Sequence, residues 1–304
     1  MKGLYLLFHG FAPHNGISKK VHYQVKALND CGIETSLCYM TVDNDGFQKR
    51  IAGEEVINNY GNGVYAKFIK WFSFGNVIKY IKRESVEFVY IRSFNNANPA
   101  FLYMLYRLKK SGVQVVMEIP TYPYDNEFSH SPLEHKLRFY INKVFRPFLK
   151  YSLKYIVTFS DFDKIHGIDT IKISNGIDFD DVKLKTVHKT NNEIINVTGV
   201  AEIHFWHGFD RILYGLADYI NTQSNIKVVF HIVGDGVSSE MSKLRAIVKE
   251  LNLSEQVVFY GNLCGKELDR IFDFTDFGIA SLGRHRSGTV SYTHLRAHET
   301  IALI

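Results

Sequence analysis

The chain has 304 residues, 46% of them hydrophobic and 22% charged, with a formal net charge of +5. That is enough apolar material for two cored domains, and it excludes disorder, collagen and coiled coil as the plan of the whole chain. No apolar run reaches the ~18–20 residues of a membrane-spanning helix. The three cysteines, Cys31, Cys38 and Cys264, lack metal-ligand spacing, so a cytoplasmic chain with reduced thiols is expected.

The start, MKGLYLLFHGF, has one lysine, a short apolar run and no small-residue cleavage site, and reads as a buried first strand over Leu4–Phe8. A His9–Ile17 loop with Pro13 and Gly16 follows, and Ser18 is placed to cap a helix that ends near Asp30 before Cys31-Gly32. Strands are expected over Thr35–Tyr39, Phe88–Ile91 and Val113–Glu118, with a helix over Ala100–Lys110. Pro132–Tyr151 reads as a helix kinked or split by Pro147, followed by short strands at Ile156–Phe159 and Ile171–Ile173.

The alternation resumes after a polar stretch. A strand is expected at Ile194–Val197, a helix at Phe209–Ile220 and a strand at Ile226–Val233 ending in Gly234-Asp235-Gly236. Ser238 or Ser239 opens a helix to Leu251, and Val257–Tyr260, Lys266–Phe274 and Phe277–Ala280 read as strand, helix and strand. Strands alternating with helices predict parallel sheets with helices on both faces. The expected plan is two facing, doubly wound Rossmann-like domains: residues 1–180, a linker at 181–192 and a shorter second domain at 193–288. Ligands in such folds sit at the C-terminal ends of the strands.

No G-x-G-x-x-G is present, since GDGVSSE has Ser239 where the third glycine would stand, so a dinucleotide dehydrogenase is disfavoured. A glycine loop leading from a strand into a helix still suits phosphate, through backbone N–H groups and the helix dipole. A plain tight turn is the alternative.

Several segments in order carry more. HNGISKKVHYQVKAL follows the first strand, TFS stands at Thr158–Ser160 and KISNGIDF at Lys172–Phe179; GVAEIHFWHGFDRIL, HIVGDG and VVFYGNLCGKELDRIFDFTDFGIAS follow. Over residues 1–285 the chain resembles the family 4 glycosyltransferases of the GT-B fold. EIPTYPYDNE and FWHGFDR are similar to a bacterial branch that builds surface polysaccharides. The resemblance implies transfer of a sugar from a nucleotide diphosphate sugar to a glycan or polyprenyl-linked acceptor, with retention and without a metal or cofactor. Such a site must stabilise a diphosphate leaving group and exclude water by domain closure.

Carried over position by position, the resemblance implies that Asn15-Gly16 lies near the donor phosphates and acceptor, a plain strand-helix turn being the alternative, with Gly234, Asp235 and Gly236 beside the nucleotide and Gly261, Asn262 and Leu263 against the base. The family's glycine-arginine pair reads Gly199-Val200 here, and its Lys-Gly reads His207-Gly208. His207, Arg211, Arg284 or Arg286 would have to supply the missing cations; a solvated helix residue is the alternative for Arg211, and loop packing for His204 and His207. Where the family has a first-domain histidine past a mid-domain strand, near the reacting centre, this strand ends in Glu118, the candidate catalytic residue, which either contacts the acceptor or supports the developing positive charge, or else pairs with an arginine such as Arg92. Tyr122, Tyr124, Asp125 and Glu127 follow, residue types that suit an acceptor sugar.

Residues 1–180 hold 23 Lys and Arg against 17 Asp and Glu; residues 181–304 hold 13 against 14. Lys136–Tyr155 contains six basic residues and no acid, with Phe139, Tyr140, Phe145, Phe148 and Tyr151 interleaved. It reads as either a peripheral contact with the anionic inner face of the cell membrane or an ordinary amphipathic helix. Phe68, Ile69, Trp71 and Phe72 form a second candidate contact. Nucleic acid is disfavoured, since no binding motif accompanies the charge. Residues 289–304 resemble translated sequencing-adapter sequence, with H-x-x-x-H-E at His294, His298 and Glu299 unlike a zinc-protease motif. An inactive nucleotide-binding fragment is accordingly the alternative reading of the chain.

Overall fold

The computed structural model describes residues 1–11, 16–93, 95–120, 122–124, 133–174, 176, 178, 180, 185, 193–222 and 225–287. The expected 289–304 tail and most of the expected linker lie outside them. The chain divides into two compact units, Met1–Ile177 and Asp178–Ile304. No helix among the described residues is long and apolar enough to cross a membrane.

The first unit runs β1 (Lys2–Leu6), α1 (Gly16–Asp30), β2 (Glu34–Val42), β3 (Gln48–Ala52), β4 (Glu55–Gly61), α2 (Gly63–Ile69), α3 (Gly75–Arg83), β5 (Phe88–Arg92), α4 (Pro99–Lys110), β6 (Gln114–Glu118) and α5 (Leu133–Phe145). A 3₁₀ segment (Arg146–Tyr151), β7 (Tyr155–Thr158), β8 (Lys164–Ile165) and β9 (Ile168–Lys172) complete it. Its nine-stranded sheet has the order β4-β3-β2-β1-β5-β6-β7-β9-β8. The strands from β2 to β9 are parallel, and β3, β4 and β8 pair antiparallel at the two edges. Alternation within β1 sends Leu4 and Leu6 to one face and Tyr5 and Leu7 to the other. The first face packs under α3, α4, α5 and the 3₁₀ segment through Val77, Phe101, Met104, Phe139 and Leu149. The second packs under α1 through Val21.

Local chemistry sets several boundaries. Asn98 caps α4 by accepting the Phe101 N–H (3.0 Å), and Pro99 takes the first helical position, where its missing N–H costs nothing. Pro147 divides the long helix, as expected, into α5 and the 3₁₀ segment. Ser18 is not a cap: it is buried within the first turn of α1, which starts at Gly16. Ser238 opens its helix as expected, after a Val237 at the N-cap that makes no side-chain hydrogen bond. The β3–β4 hairpin and α2–α3 occupy a stretch where no element was expected. Its strands, QKRIA and EVINNYG, carry charge and amide side chains with no apolar run. Trp71 is buried in the core, so the second membrane contact expected there does not include it, whereas Phe68 is exposed.

The second unit runs β10 (Ile194–Val200), a 3₁₀ turn (Phe205–His207), α6 (Phe209–Ile220), β11 (Lys227–Val233), α7 (Ser238–Glu250), β12 (Val257–Gly261), α8 (Lys266–Phe274), β13 (Phe277–Ile279) and a 3₁₀ turn (Arg284–Ser287). Its parallel sheet has the order β12-β11-β10-β13. Phe230 and Ile232 pack against Leu213 and Leu216 of α6 and Met241, Leu244 and Ile247 of α7.

Candidate functional site

In a doubly wound sheet the crevice opens where the winding reverses, at the C-terminal ends of the strands on either side. In the first unit that point lies between β1 and β5. Arg92 ends β5, directly beside Glu118 at the end of β6. Glu118 has no exposure, and both its oxygens are engaged. Oε1 pairs with Arg92 Nη1 and lies 3.7 Å from Lys20 Nζ on α1. Oε2 accepts from Tyr90 Oη (2.6 Å) and Gln24 Nε2 (2.8 Å), while Gln24 Oε1 accepts from Tyr5 Oη (2.7 Å). Burial, and then the Glu118 charge, push both tyrosine hydroxyls well above their ordinary range, so they stay protonated donors. Of the two readings of Glu118, the ion pair with Arg92 is formed.

His9 stands just past β1, with Nδ1 2.9 Å from the Gly10 carbonyl. Burial lowers its pKa; the Gly10 carbonyl opposes that shift and Arg92 adds to it, so the neutral ring is favoured near pH 7. His9, Lys20, Gln24 and Tyr90 were not singled out as site residues. The available signal was a histidine directly after the first apolar run. Asn15 and Asp125 lie outside the described residues. Gly16 is exposed, with open space where a Cβ would stand. Tyr122 is half-buried, its N–H donating to Ser160 Oγ (2.9 Å) and its ring edge-on to Phe162 and His166. Tyr124 turns inward to the core, with Asn142 Nδ2 donating to its hydroxyl (3.4 Å).

In the second unit the winding reverses between β10 and β13. Four strand-end loops are laced together there by backbone hydrogen bonds: Ala201 N to Val233 O, Ile203 N to Asp235 O, Gly234 N to Gly261 O, Leu282 N to His207 O and Gly283 N to Trp206 O. The glycines make this possible. A Cβ on Gly234 (φ +118°) would stand 1.8 Å from the Ala201 oxygen, and one on Gly236 2.0 Å from the Ile203 oxygen. Gly208 (φ +68°) has the same relation to Gly283, 2.7 Å from its nitrogen. Sequence reasoning placed Gly234 and Gly236 at the nucleotide, and it missed that each also admits a neighbouring backbone.

The side chains expected to replace the missing cations divide. His207 turns back on its own turn, Nδ1 accepting the His204 N–H (3.0 Å). Arg211 donates to the Leu282 carbonyl (2.7 Å). Arg286 donates to Asp210 Oδ1 (2.9 Å) and to the Phe205 carbonyl (3.1 Å), with Lys243 Nζ 3.5 Å from Oδ2. Burial pushes the Asp210 carboxyl up, but Arg286 and Lys243 outweigh it and hold the group below its ordinary value. Arg284 lies in the 3₁₀ turn beside Arg286, with its side chain outside the described set. Asp235 and Asn262 are exposed and Leu263 is half-buried, at the rim of the same loops. Among the described residues no three His, Cys, Asp or Glu stand together as a metal site.

No protein-family model matches the chain, and no curated protein matches it in sequence. Solved structures share its fold. Sucrose-phosphate synthase from Thermosynechococcus elongatus superposes with a TM-score of 0.63 at 11% identity, over 91% of this chain and 74% of that one. WaaG, a glycosyltransferase involved in lipopolysaccharide biosynthesis, gives 0.60 at 12% identity over 97% and 84%. HepE from Anabaena, solved with UDP and glucose, gives 0.55 at 14% identity over 92% and 74%. At these identities the likeness is one of fold, and the fold is that of the GT-B glycosyltransferases.

Proposed function

We propose that the chain is a glycosyltransferase that moves a sugar, with retention, from a nucleotide diphosphate sugar to a glycan or polyprenyl-linked acceptor in bacterial surface polysaccharide synthesis. The observation that carries this reading is the fold shared over 91–97% of the chain with the three proteins above. In this reading the second unit binds the donor at the loops holding Gly234, Asp235, Gly236, Gly261, Asn262 and Leu263. Backbone N–H groups, the remaining ring N–H of His207 and the charge of Arg284 would stabilise the charge that develops on the leaving diphosphate. Arg286 and Arg211 act through the loop they fasten. The chemistry needs no metal or cofactor.

In the first unit, Glu118 is a positioning residue. A carboxylate without exposure and with four partners holds Arg92 at a strand end and Lys20 of α1 beside it; in this reading Asn15 and Gly16 lie near the donor phosphates, and Tyr122 and Asp125 border the acceptor. Tyr124 supports that border from the core side. Lys136–Tyr155 is the stretch that meets the anionic membrane bearing a lipid-linked acceptor. The test is incubation with UDP- and GDP-sugars and lipid-linked or glycan acceptors, read by mass spectrometry. A product heavier by one sugar is expected, and no turnover with any common donor overturns the reading.

A further inference from the structure

The edge of the first unit holds an interior charge that no side chain answers. Arg50 lies in the middle of β3 and has no exposure at all. Alternation puts it on the buried side of the strand with Gln48 and Ala52, and Asn58 of β4 stands directly opposite. Its Nη2 donates to the carbonyl of Lys70, the residue that ends α2 (3.1 Å). Its Cζ is 5.2 Å from the centre of the Phe74 ring, just before α3. Nε and Nη1 are buried and have no acceptor. The Asn58 Oδ1 is buried without a donor; turned half over, the amide offers an N–H in its place.

A guanidinium keeps its charge when buried, and a buried charge without a partner is strongly destabilising. Among the described residues no carboxylate pairs with Arg50. The stretch 48–83 has two acids, Glu54 and Glu55; both are exposed, and Arg83 holds Glu55. Two ionisable side chains lie close enough to feel Arg50, Cys38 and Tyr60. Burial pushes the Cys38 thiol up to about 11 and raises the Tyr60 hydroxyl, with Arg50 opposing both shifts, so both stay protonated near pH 7. Lys70 brings a second cation, and its Nζ donates to the uncharged Gln48 Oε1 (2.8 Å). One carbonyl and one ring face return only part of the hydration that the guanidinium gives up.

We propose that the interior of the first unit beside Arg50, beneath the α2–α3 connection, binds a small monovalent anion of chloride size. Enclosure sets the class of ligand. A guanidinium without exposure does not meet the diphosphate of a substrate, and a polyatomic ion brings more oxygens than these donors satisfy. The ion balances Arg50 where it stands and so fastens the β3–β4 hairpin to the helices over it. That gives a reason for an arginine at a core-facing position of an edge strand, where an apolar residue is the rule. The site belongs to the first unit alone and stands whether or not the chain transfers a sugar.

Urea unfolding of the full chain with Trp206→Phe, followed through Trp71, tests it as sodium chloride replaces sodium gluconate at fixed ionic strength. Urea is required, because guanidinium chloride would itself supply the ion. The first unit should be more stable in chloride, its folding constant rising towards tenfold per tenfold chloride as the site fills. Bromide should act as chloride does. Arg50→Met should fold and lose the dependence, since an apolar side chain of similar length needs no counter-ion. Crystals of the parent grown with sodium bromide should show an anomalous peak within hydrogen-bond distance of Arg50 Nε or Nη1. Equal stability in chloride and gluconate overturns the proposal. So does a chloride dependence that Arg50→Met retains. Water at Arg50 with no bromide signal overturns it too, and that result is read on the parent, whether or not Arg50→Met folds.

Discussion

Gly234→Ala is the sharpest test of how the second unit is built. The added methyl would lie 1.8 Å from the Ala201 oxygen, whereas real contacts of this kind do not fall below 3.0 Å, so the two loops must part by about 1.2 Å. The φ of +118° is open to glycine and strained for alanine, at a cost of about 1–3 kcal/mol. Parting the loops also breaks the Gly234–Gly261 and Ala201–Val233 hydrogen bonds, at about 1 kcal/mol each. The sum is about 3–5 kcal/mol, about two to four decades in the folding constant. Gly236→Ala meets a similar clash, 2.0 Å from the Ile203 oxygen, without positive φ, and should cost less. Gly16→Ala, at the first residue of α1 with open space around it, should be neutral or slightly stabilising. The two tryptophans report one unit each, Trp71 the first and Trp206 the second. Urea unfolding followed by fluorescence in a Trp71→Phe background therefore reads the second unit alone. A Gly234→Ala protein within about 1 kcal/mol of the parent would refute the reasoning.

Three further outcomes follow from the same geometry. Glu118→Gln removes the charge that balances Arg92 in a covered site and should destabilise the first unit by about 3–5 kcal/mol, read through Trp71 in a Trp206→Phe background. Glu118→Gln combined with Arg92→Met keeps an oxygen for Tyr90 and Gln24 while removing both charges and should recover part of that loss, and no recovery would argue against the pair. Asp210 has a folded pKa below its unfolded value of about 3.9. Its contribution is complete above that value and lost as pH falls through the folded one, so below about pH 4 the parent should lose stability more steeply than Asp210→Asn. Equal slopes would contradict this. Cys31 and Cys264 are exposed, while Cys38 is buried with its thiol pushed up to about 11 by desolvation. A thiol reagent should therefore label two cysteines in the native chain and a third only in denaturant.

The helices with one apolar stripe were the most legible part of the fold. FDRILYGLADYI and KELDRIFDF give α6 and α8 with the expected ends, because Leu213, Leu216 and Ile271 recur at helical spacing on the buried side. The parallel strands were legible as apolar runs and displaced by a residue or two at their ends, since backbone pairing continues past the last large side chain. Residues 48–83 were not legible. An edge hairpin needs only half its side chains apolar, and Arg50, fully buried in β3, breaks even that pattern. The Ser18 cap failed for another reason: the serine sits where a cap could stand, and only the backbone decides that the helix begins before it, at Gly16.

The candidate site separates position from role. The meeting of GDG and GNL was legible because topology fixes it: loops after neighbouring parallel strands emerge at the same end of the sheet. Roles depend on partners distant in sequence. Glu118 could be read as reactive or as paired until Arg92, Tyr90 and Gln24 were seen to surround it. The glycines of GDG could be read as a phosphate cradle, but the oxygens nearest their missing side chains belong to Ala201 and Ile203. The two roles make different demands. Glycines kept only for a ligand would let Gly234→Ala fold normally and lose nucleotide affinity. Glycines that admit a neighbouring backbone must lose stability first, with affinity failing as the loops part. The 1.8 Å contact places Gly234 in the second class, and any nucleotide these loops hold is held by a rim that the glycines first allow to close.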